Sequence, residues 1–386
     1  MANQQTQGKK HLTPKQKAAK KRRNIIIFVV ELFVLAIVVL VAWAVIRFTE
    51  TEHNNLVLGS ADNIGEQTGG NEQPNVYVNP VIYERIETGD EGLNRYMQIA
   101  LFGVDSRDQN LGSGNNRSDT IIVACIDNET KEIRLASVYR DTYLFLGPTI
   151  GSGNSYDKCN AAYSYGGPEA AVTMLNLNLD LAISDYMTVG FRGVIDVVNA
   201  VGGIDLEIAS NEIIHLNNYA SVMADELHLT YTPVQEAGYQ HLNGLQAMAY
   251  CRIRAVGNDY GRTERQRKVI AAILESARGM SATQLVDIVN NVFSEVSTSF
   301  TIGEITDMIG DLNQYRIIET TGFPSMNMLT SGNIGAKGSC VVPRDLSSNV
   351  TWLHEFLFGE TDYVPTEDVQ RYSSRVASDT SPYLGN

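Results

Sequence analysis

Short motifs that set arginine next to aspartate recur along this chain. GVDSR supplies Asp105 and Arg107, NNRSDT supplies Arg117 and Asp119, and YRDT supplies Arg140 and Asp141. A later run, YCRIRAVGNDYGRTERQR, supplies Arg252, Arg254, Asp259, Arg262, Arg265, Gln266 and Arg267. Any single pair of this kind is ordinarily a surface ion pair of small energetic weight. The set asks for more. Arg252 and Arg254 alternate by two, so an extended segment turns both to one side. Arg262 and Arg265 are three apart, so a helix start turns both one way. Two such cations 6 Å apart repel by about 3 kcal/mol at an effective dielectric near 20. A convergent group therefore needs an anion. The planar arginine fork matches phosphate oxygens bidentately, and these motifs hold little lysine, which favours an oxyanion site over a generally basic face.

Asp105 and Asp119 are the candidate metal ligands. Magnesium, or manganese in its place, is commonly held by one or two carboxylates and completed by phosphate oxygens and water. Two carboxylates with several arginines point to phosphoryl chemistry by positioning and charge neutralisation. The chain has no GxxxxGK[ST] loop and no GxSxG, and GSGNS at 151–155 reads as a loop. No CxxC or histidine cluster suggests zinc.

The elements that must position these residues are legible in outline. Apolar runs at 97–105, 119–127 and 132–141 have strand length and composition. A helix is expected at 168–179 with Pro168 in its first turn, then a strand at 186–190. An amphipathic helix at 191–203 ends on Gly202-Gly203, and a strand follows at 203–209. Further helices are expected at 241–250, 264–279, 282–296 and 301–312, with an edge strand at 317–322. This is an α/β (α+β) pattern, a central mixed β-sheet flanked by helices. The charged motifs fall at strand ends and in the loops beside them, where open α/β sheets tend to bind ligands.

The N-terminal part is different. Residues 1–24 hold eight Lys or Arg and no acid, and Ile25 to Ile46 is broken by one charge, Glu31. Twenty-two helical residues span about 33 Å, enough for a hydrocarbon core of about 30 Å. The apolar run exceeds the roughly 7–15 residues of a signal peptide. The expected layout is a basic cytoplasmic tail (1–24), a transmembrane helix (25–46), an extracytoplasmic stalk (47–94) with a little strand near Asn75–Tyr83, a catalytic domain (95–359) and a flexible C-terminal tail (360–386). Positive charge inside fixes the orientation, in the cell membrane with the bulk outside. Removing the tail's eight cations from a net charge of −14 leaves −22. So acidic a remainder argues against nucleic acid as a partner. Four cysteines are too few for a disulfide framework, and their pairing is open.

The stretches LFGVDSR, RSDTIIV, LASVYRDT, FRGVIDVVNAVGGIDLEI, LNGLQAMAYCRIR and DYGRTERQRKVI, in that order behind an anchor, resemble the LytR–CpsA–Psr family of cell-envelope proteins. The resemblance runs from about Arg95 to Gly279, with a family-like tail to about Gly359. Two local departures, VYRDT and the Thr263-Glu264 spacer, remove no charged position. The resemblance implies a phosphotransferase that moves a glycopolymer (teichoic acid, capsule or another wall polysaccharide) from an undecaprenyl-pyrophosphate carrier to peptidoglycan. Asp105 and Asp119 would then hold Mg²⁺. Arg107, Arg117, Arg140, Arg252, Arg254, Arg262 or Arg265, and Gln266 would surround the pyrophosphate. Asp105, or else Asp259, would take the acceptor proton. The prenyl chain would lie between sheet and helices, with 168–179 and 191–203 as candidate walls. Rival readings are a hydrolase of the lipid diphosphate, a non-catalytic sensor or regulator, and a wall-binding scaffold. The first uses the same residues. The second has no need of the metal carboxylates, and the third lacks an evident aromatic cluster.

Overall fold

The computed structural model describes residues 56–64, 74–104, 111, 116–148, 150–151, 154–292 and 295–384. The expected tail and transmembrane segment, and Asp105 and Arg107, lie outside the described residues. Among the described residues no helix is long and apolar enough to cross a membrane.

Strands β1 (Leu58–Ser60) and β2 (Val76–Val78) pair in parallel, and helices α1 (Pro80–Glu87) and α2 (Glu91–Asn94) lead into β3 (Tyr96–Val104). β4 (Ser118–Asp127) and β5 (Glu132–Val138) continue it as an antiparallel meander. A hairpin of β6 (Tyr143–Phe145) and β7 (Tyr156–Lys158) delivers the long helix α3 (Asn160–Leu179). Then follow β8 (Asp185–Val189), α4 (Phe191–Ala200), β9 (Ile204–Ile208), α5 (Ser210–Leu227), β10 (Gly238–Leu242), α6 (Gly244–Arg252) and α7 (Asn258–Arg278). The remaining elements are α8 (Ala282–Val292), β11 (Val296–Thr298), α9 (Ile302–Gly310), β12 (Arg316–Phe323), β13 (Leu329–Asn333), β14 (Ser339–Pro343), α10 (Leu346–Phe358) and α11 (Glu367–Thr380).

Six strands form the central sheet in the order β11-β8-β3-β4-β5-β12. It is mixed: β8 runs parallel to β3 and β12 parallel to β5, and the other pairs are antiparallel. β4 sits near the middle and is apolar on both faces, as a strand covered on both sides must be. Its Ile121, Val123 and Cys125 belong to one core, and Ile122, Ala124 and Ile126 to the other. The first core packs α3, α10 and α11 against the sheet. On the opposite face α7 and α9 cover β3, β4 and β5. Helices α4, α5 and α6 form a further apolar cluster with β9 and β10. Gly244 permits this junction, because a Cβ there would lie 2.1 Å from the Ile195 carbonyl oxygen.

Several expectations change. Of the expected stalk, 56–64 and 74–94 are folded: Val76, Val78 and Ile82 are buried, and Leu56 and Leu58 pack on the first core. The expected flexible tail forms α11, which buries Val369, Tyr372 and Val376. The helix expected at 168–179 begins at Asn160 and is interrupted by non-helical Gly166 and Gly167 before Pro168. All four cysteines are free and buried.

Candidate active site

β4 and β5 run antiparallel with Ile122 opposite Ser137. Continuing that register places Asp119, the second residue of β4, opposite Arg140, two residues past β5. The two side chains meet, with Arg140 Nη1 donating to Asp119 Oδ1 at 2.5 Å. Arg140 Nε also donates to Asp141 Oδ2 at 3.3 Å. Burial opposes the Arg140 charge, but Asp119, Asp141 and Asp259 outweigh it and hold the guanidinium above the ordinary arginine range. Lys158 pairs with the other oxygen of Asp141 at 3.1 Å.

The second half of the site comes from the α6–α7 turn. Arg252 is the last residue of α6, Ile253 is extended, and Arg254 follows. Gly257, with φ 75°, reverses the chain into α7. There Asp259 forms an ion pair with Arg262 Nη2 at 2.9 Å and lies 4.0 and 3.9 Å from Arg140 and Arg254. Arg254 Nη2 stands 3.5 Å from Asp119 Oδ2. Arg262 Nη2 also donates to the Asp119 carbonyl at 3.0 Å. Burial pushes the Arg262 guanidinium down to about 10; Asp259 opposes the shift, and Arg254 and Arg140 add to it. Among the described residues, Asp259 Oδ2, Arg262 Nε and Gln266 Oε1 are buried with no hydrogen-bond partner. A buried polar atom left unpaired costs roughly 1–3 kcal/mol, so this cluster favours a polar ligand.

These residues close one end of a cavity of about 500 Å³ between the sheet and α4, α5, α6 and α7. Asp119, Arg140, Arg252, Arg254, Arg262 and Gln266 form its polar head. Leu101, Met187 and Val189 from the sheet, with Val194, Val197 and Ile273 from the helices, line its apolar body. Each methylene buried there contributes about 0.8 kcal/mol. The cavity therefore suits a molecule with a polyanionic head and a hydrocarbon tail. Of the two expected walls, α4 lines it, and 168–179 packs on the opposite face of the sheet.

Other expected residues fall elsewhere. Arg117 is exposed, just before β4, and is not among the cavity lining. Arg265 is not brought into the group. It is buried, donates from Nη1 to Glu212 Oε1 at 2.9 Å, and caps the carbonyls of Ile253 and Val256 at 2.8 and 2.5 Å. It thus braces the turn that carries Arg254. Three residues along a helix rotate a side chain 60° one way and four rotate it 40° the other, so Gln266 shares the Arg262 side and Arg265 does not. Phe191, Tyr219 and Glu212 were not foreseen. Phe191 opens a recognised helix, but nothing local in the sequence links it to an arginine 61 positions later.

Magnesium was expected on Asp105 and Asp119. Among the described residues no group of three or more His, Cys, Asp or Glu is placed to hold a metal ion. Magnesium needs only one or two protein carboxylates beside phosphate oxygens. Asp119 lines the cavity head, and the unpaired Asp259 Oδ2 shares its arginine neighbours, so the donor set fits a cation brought in with a phosphate.

Residues 66–339 match the sequence model of the LytR_cpsA_psr family. A polyisoprenyl-teichoic acid–peptidoglycan teichoic acid transferase, TagU of Bacillus mycoides, is 30% identical over 226 residues, covering 58% of this chain and 66% of that protein. TagV of Bacillus subtilis, of the same descriptive name, is 35% identical over 192 residues, covering 49% of this chain and 46% of that protein. The chain thus spans less than two thirds of the length of these relatives. The crystal structure of Bacillus subtilis TagV superposes with a TM-score of 0.53 at 27% identity, over 70% of this chain and 99% of that one. That of Bacillus subtilis TagT gives 0.51 at 20% identity, over 69% and 93%, and shows the shared fold.

Proposed function

The chain belongs to the LytR–CpsA–Psr family, and from that premise we propose that it transfers a glycopolymer, with its linking phosphate, from a polyprenyl diphosphate carrier to peptidoglycan. One observation carries the reading: a single cavity joins an arginine-rich head to an apolar body. The head suits a diphosphate and the body suits a prenyl chain. The relatives' names, which specify polyisoprenyl-linked teichoic acid and peptidoglycan, agree with it.

In the proposed reaction an acceptor sugar hydroxyl of the wall attacks the glycan-linked phosphorus. A new P–O bond forms to the acceptor, its proton leaves to a base, and the bridging P–O bond to the lipid phosphate breaks. Arg140, Arg252, Arg254 and Arg262 bind and orient the diphosphate and stabilise charge on the leaving phosphate. Asp119 and Asp259 keep Arg140, Arg254 and Arg262 apart and aimed. Asp119, with Asp105, would hold Mg²⁺, which when bound neutralises phosphate oxygens. Asp105 is the first candidate for the base and Asp259 the second. The apolar body excludes water from the leaving side. The segment 25–46 would tether the domain to the outer face of the cytoplasmic membrane, where the lipid carrier is presented.

Native mass spectrometry of the full chain with polyprenyl diphosphate tests the cavity assignment. One bound lipid per chain is expected, displaced when Ile273→Trp fills the apolar body. Equal binding by Ile273→Trp and the unaltered protein would contradict it.

A further inference from the structure

Four arginines line the cavity head, and three of them are already spoken for. Arg140, Arg254 and Arg262 each lie within 4.0 Å of a carboxylate oxygen of Asp119 or Asp259. Arg252 has no such carboxylate contact among the described residues. Its guanidinium carbon lies instead 4.7 Å from the ring centroid of Phe191 and 5.6 Å from that of Tyr219. The rings come from the first residue of α4 and the middle of α5, and both line the cavity beside Arg252.

We propose that Phe191 and Tyr219 are positioning residues that hold Arg252 as the head's anion-receiving cation. The inference rests on the reading of the cavity head as a diphosphate site. An aromatic face attracts a guanidinium through its quadrupole but offers no oxygen acceptor. A carboxylate in the same place would engage the N–H fork that phosphate needs. The aromatic pair therefore fixes the charge while leaving its donors to the ligand. It also keeps Arg252 from folding over toward Asp119 and Asp259, which would neutralise it. α4 and α5 thus each send one ring to Arg252. Phe191 has a second use as cavity wall, so the test must separate the two.

Inorganic pyrophosphate does so because it has no chain to touch the wall. The full chain, purified in detergent, is titrated with pyrophosphate and Mg²⁺ by calorimetry. Phe191→Leu is expected to weaken binding about fivefold, and Phe191→Trp, which keeps an aromatic face, to stay within about twofold of the unaltered protein. In an Arg252→Met background, Phe191→Leu should have no further effect, since the cation it holds is gone. Tyr219→Leu set against Tyr219→Phe repeats the test should Phe191→Leu fail to fold. The proposal is overturned if Leu and Trp at 191 behave alike, or if Phe191→Leu weakens binding equally with and without Arg252. Pyrophosphate binding that Arg252→Met leaves unchanged would overturn it too. A failure of the unaltered chain to bind pyrophosphate at all would remove the diphosphate reading and this inference with it.

Discussion

Arg140 Nη1 lies 2.5 Å from Asp119 Oδ1, so a residue two past the end of β5 and the second residue of β4 hold each other at the head of the cavity. The pair is partly exposed, 21% and 30% for the two side chains. Its contribution to folding is accordingly modest. Arg140→Lys keeps the charge and loses the planar fork. Turnover should fall roughly hundredfold, while the unfolding free energy from urea denaturation changes by less than about 1 kcal/mol. Equal losses of turnover and stability would return Arg140 to a structural part.

Arg265 and Arg254 should behave as opposites. Arg265 and Glu212 are 5% and 9% exposed and pair at 2.9 Å. Removing one partner of a buried pair costs about 3–5 kcal/mol, so Arg265→Met should unfold at clearly lower urea. Arg254 is 43% exposed. Arg254→Met should leave the denaturation curve nearly unchanged and lower kcat/KM. Chemical denaturation beside steady-state kinetics reads both.

The apolar body predicts a selective effect on the donor lipid. Val194→Trp narrows the cavity from the α4 side and leaves the head untouched. KM for a lipid-linked donor should rise roughly tenfold, while pyrophosphate binding stays constant. A matching loss of pyrophosphate affinity would mean that the body is not a separate lipid site.

Asp127 predicts an acid dependence. It is buried, accepts from Arg95 Nε at 3.0 Å, and accepts from the Glu129 and Thr130 amides at 2.9 and 3.2 Å. Burial works against its charge, but these bonds prevail and hold the carboxyl down at about 2. A depressed carboxyl stabilises the fold above its unfolded value near 3.9, and that contribution is lost as pH falls through the folded value. Asp127→Asn should therefore be less stable than the unaltered protein at pH 7. The gap should close as pH falls from about 4 to about 2. A gap independent of pH would assign the loss to packing alone.

Much of the site was legible because its residues sit in short, charged motifs next to apolar runs of strand length. Asp119, Arg140, Arg252, Arg254, Arg262 and Gln266 do converge. Arg265 was grouped with them on i,i+3 spacing, and the rotation of a helix together with a buried Glu212 takes it elsewhere. Glu212 was invisible as its partner, lying 53 residues earlier in a different helix. Within the expected stalk a little strand was read near Asn75–Tyr83, and β2 (Val76–Val78) lies there. β1 and β2 are three residues each, too short for alternation to mark the rest of the fold in that stretch. In α11 the spacing of Val369, Tyr372, Ser373 and Val376 is helical. The serines, arginines and acids between them obscured it. The edge position of β12 was correctly read from Ile317–Gly322.

The most direct measurement is the product of a complete reaction. The full chain is supplied with a polyprenyl-diphosphate-linked oligosaccharide, Mg²⁺ and peptidoglycan fragments, and the products are read by mass spectrometry. The account predicts a glycan–phosphate–peptidoglycan adduct together with polyprenyl phosphate, both lost in Asp119→Ala and both suppressed by EDTA. Free glycan phosphate without an adduct, or bound lipid without any product, would contradict it.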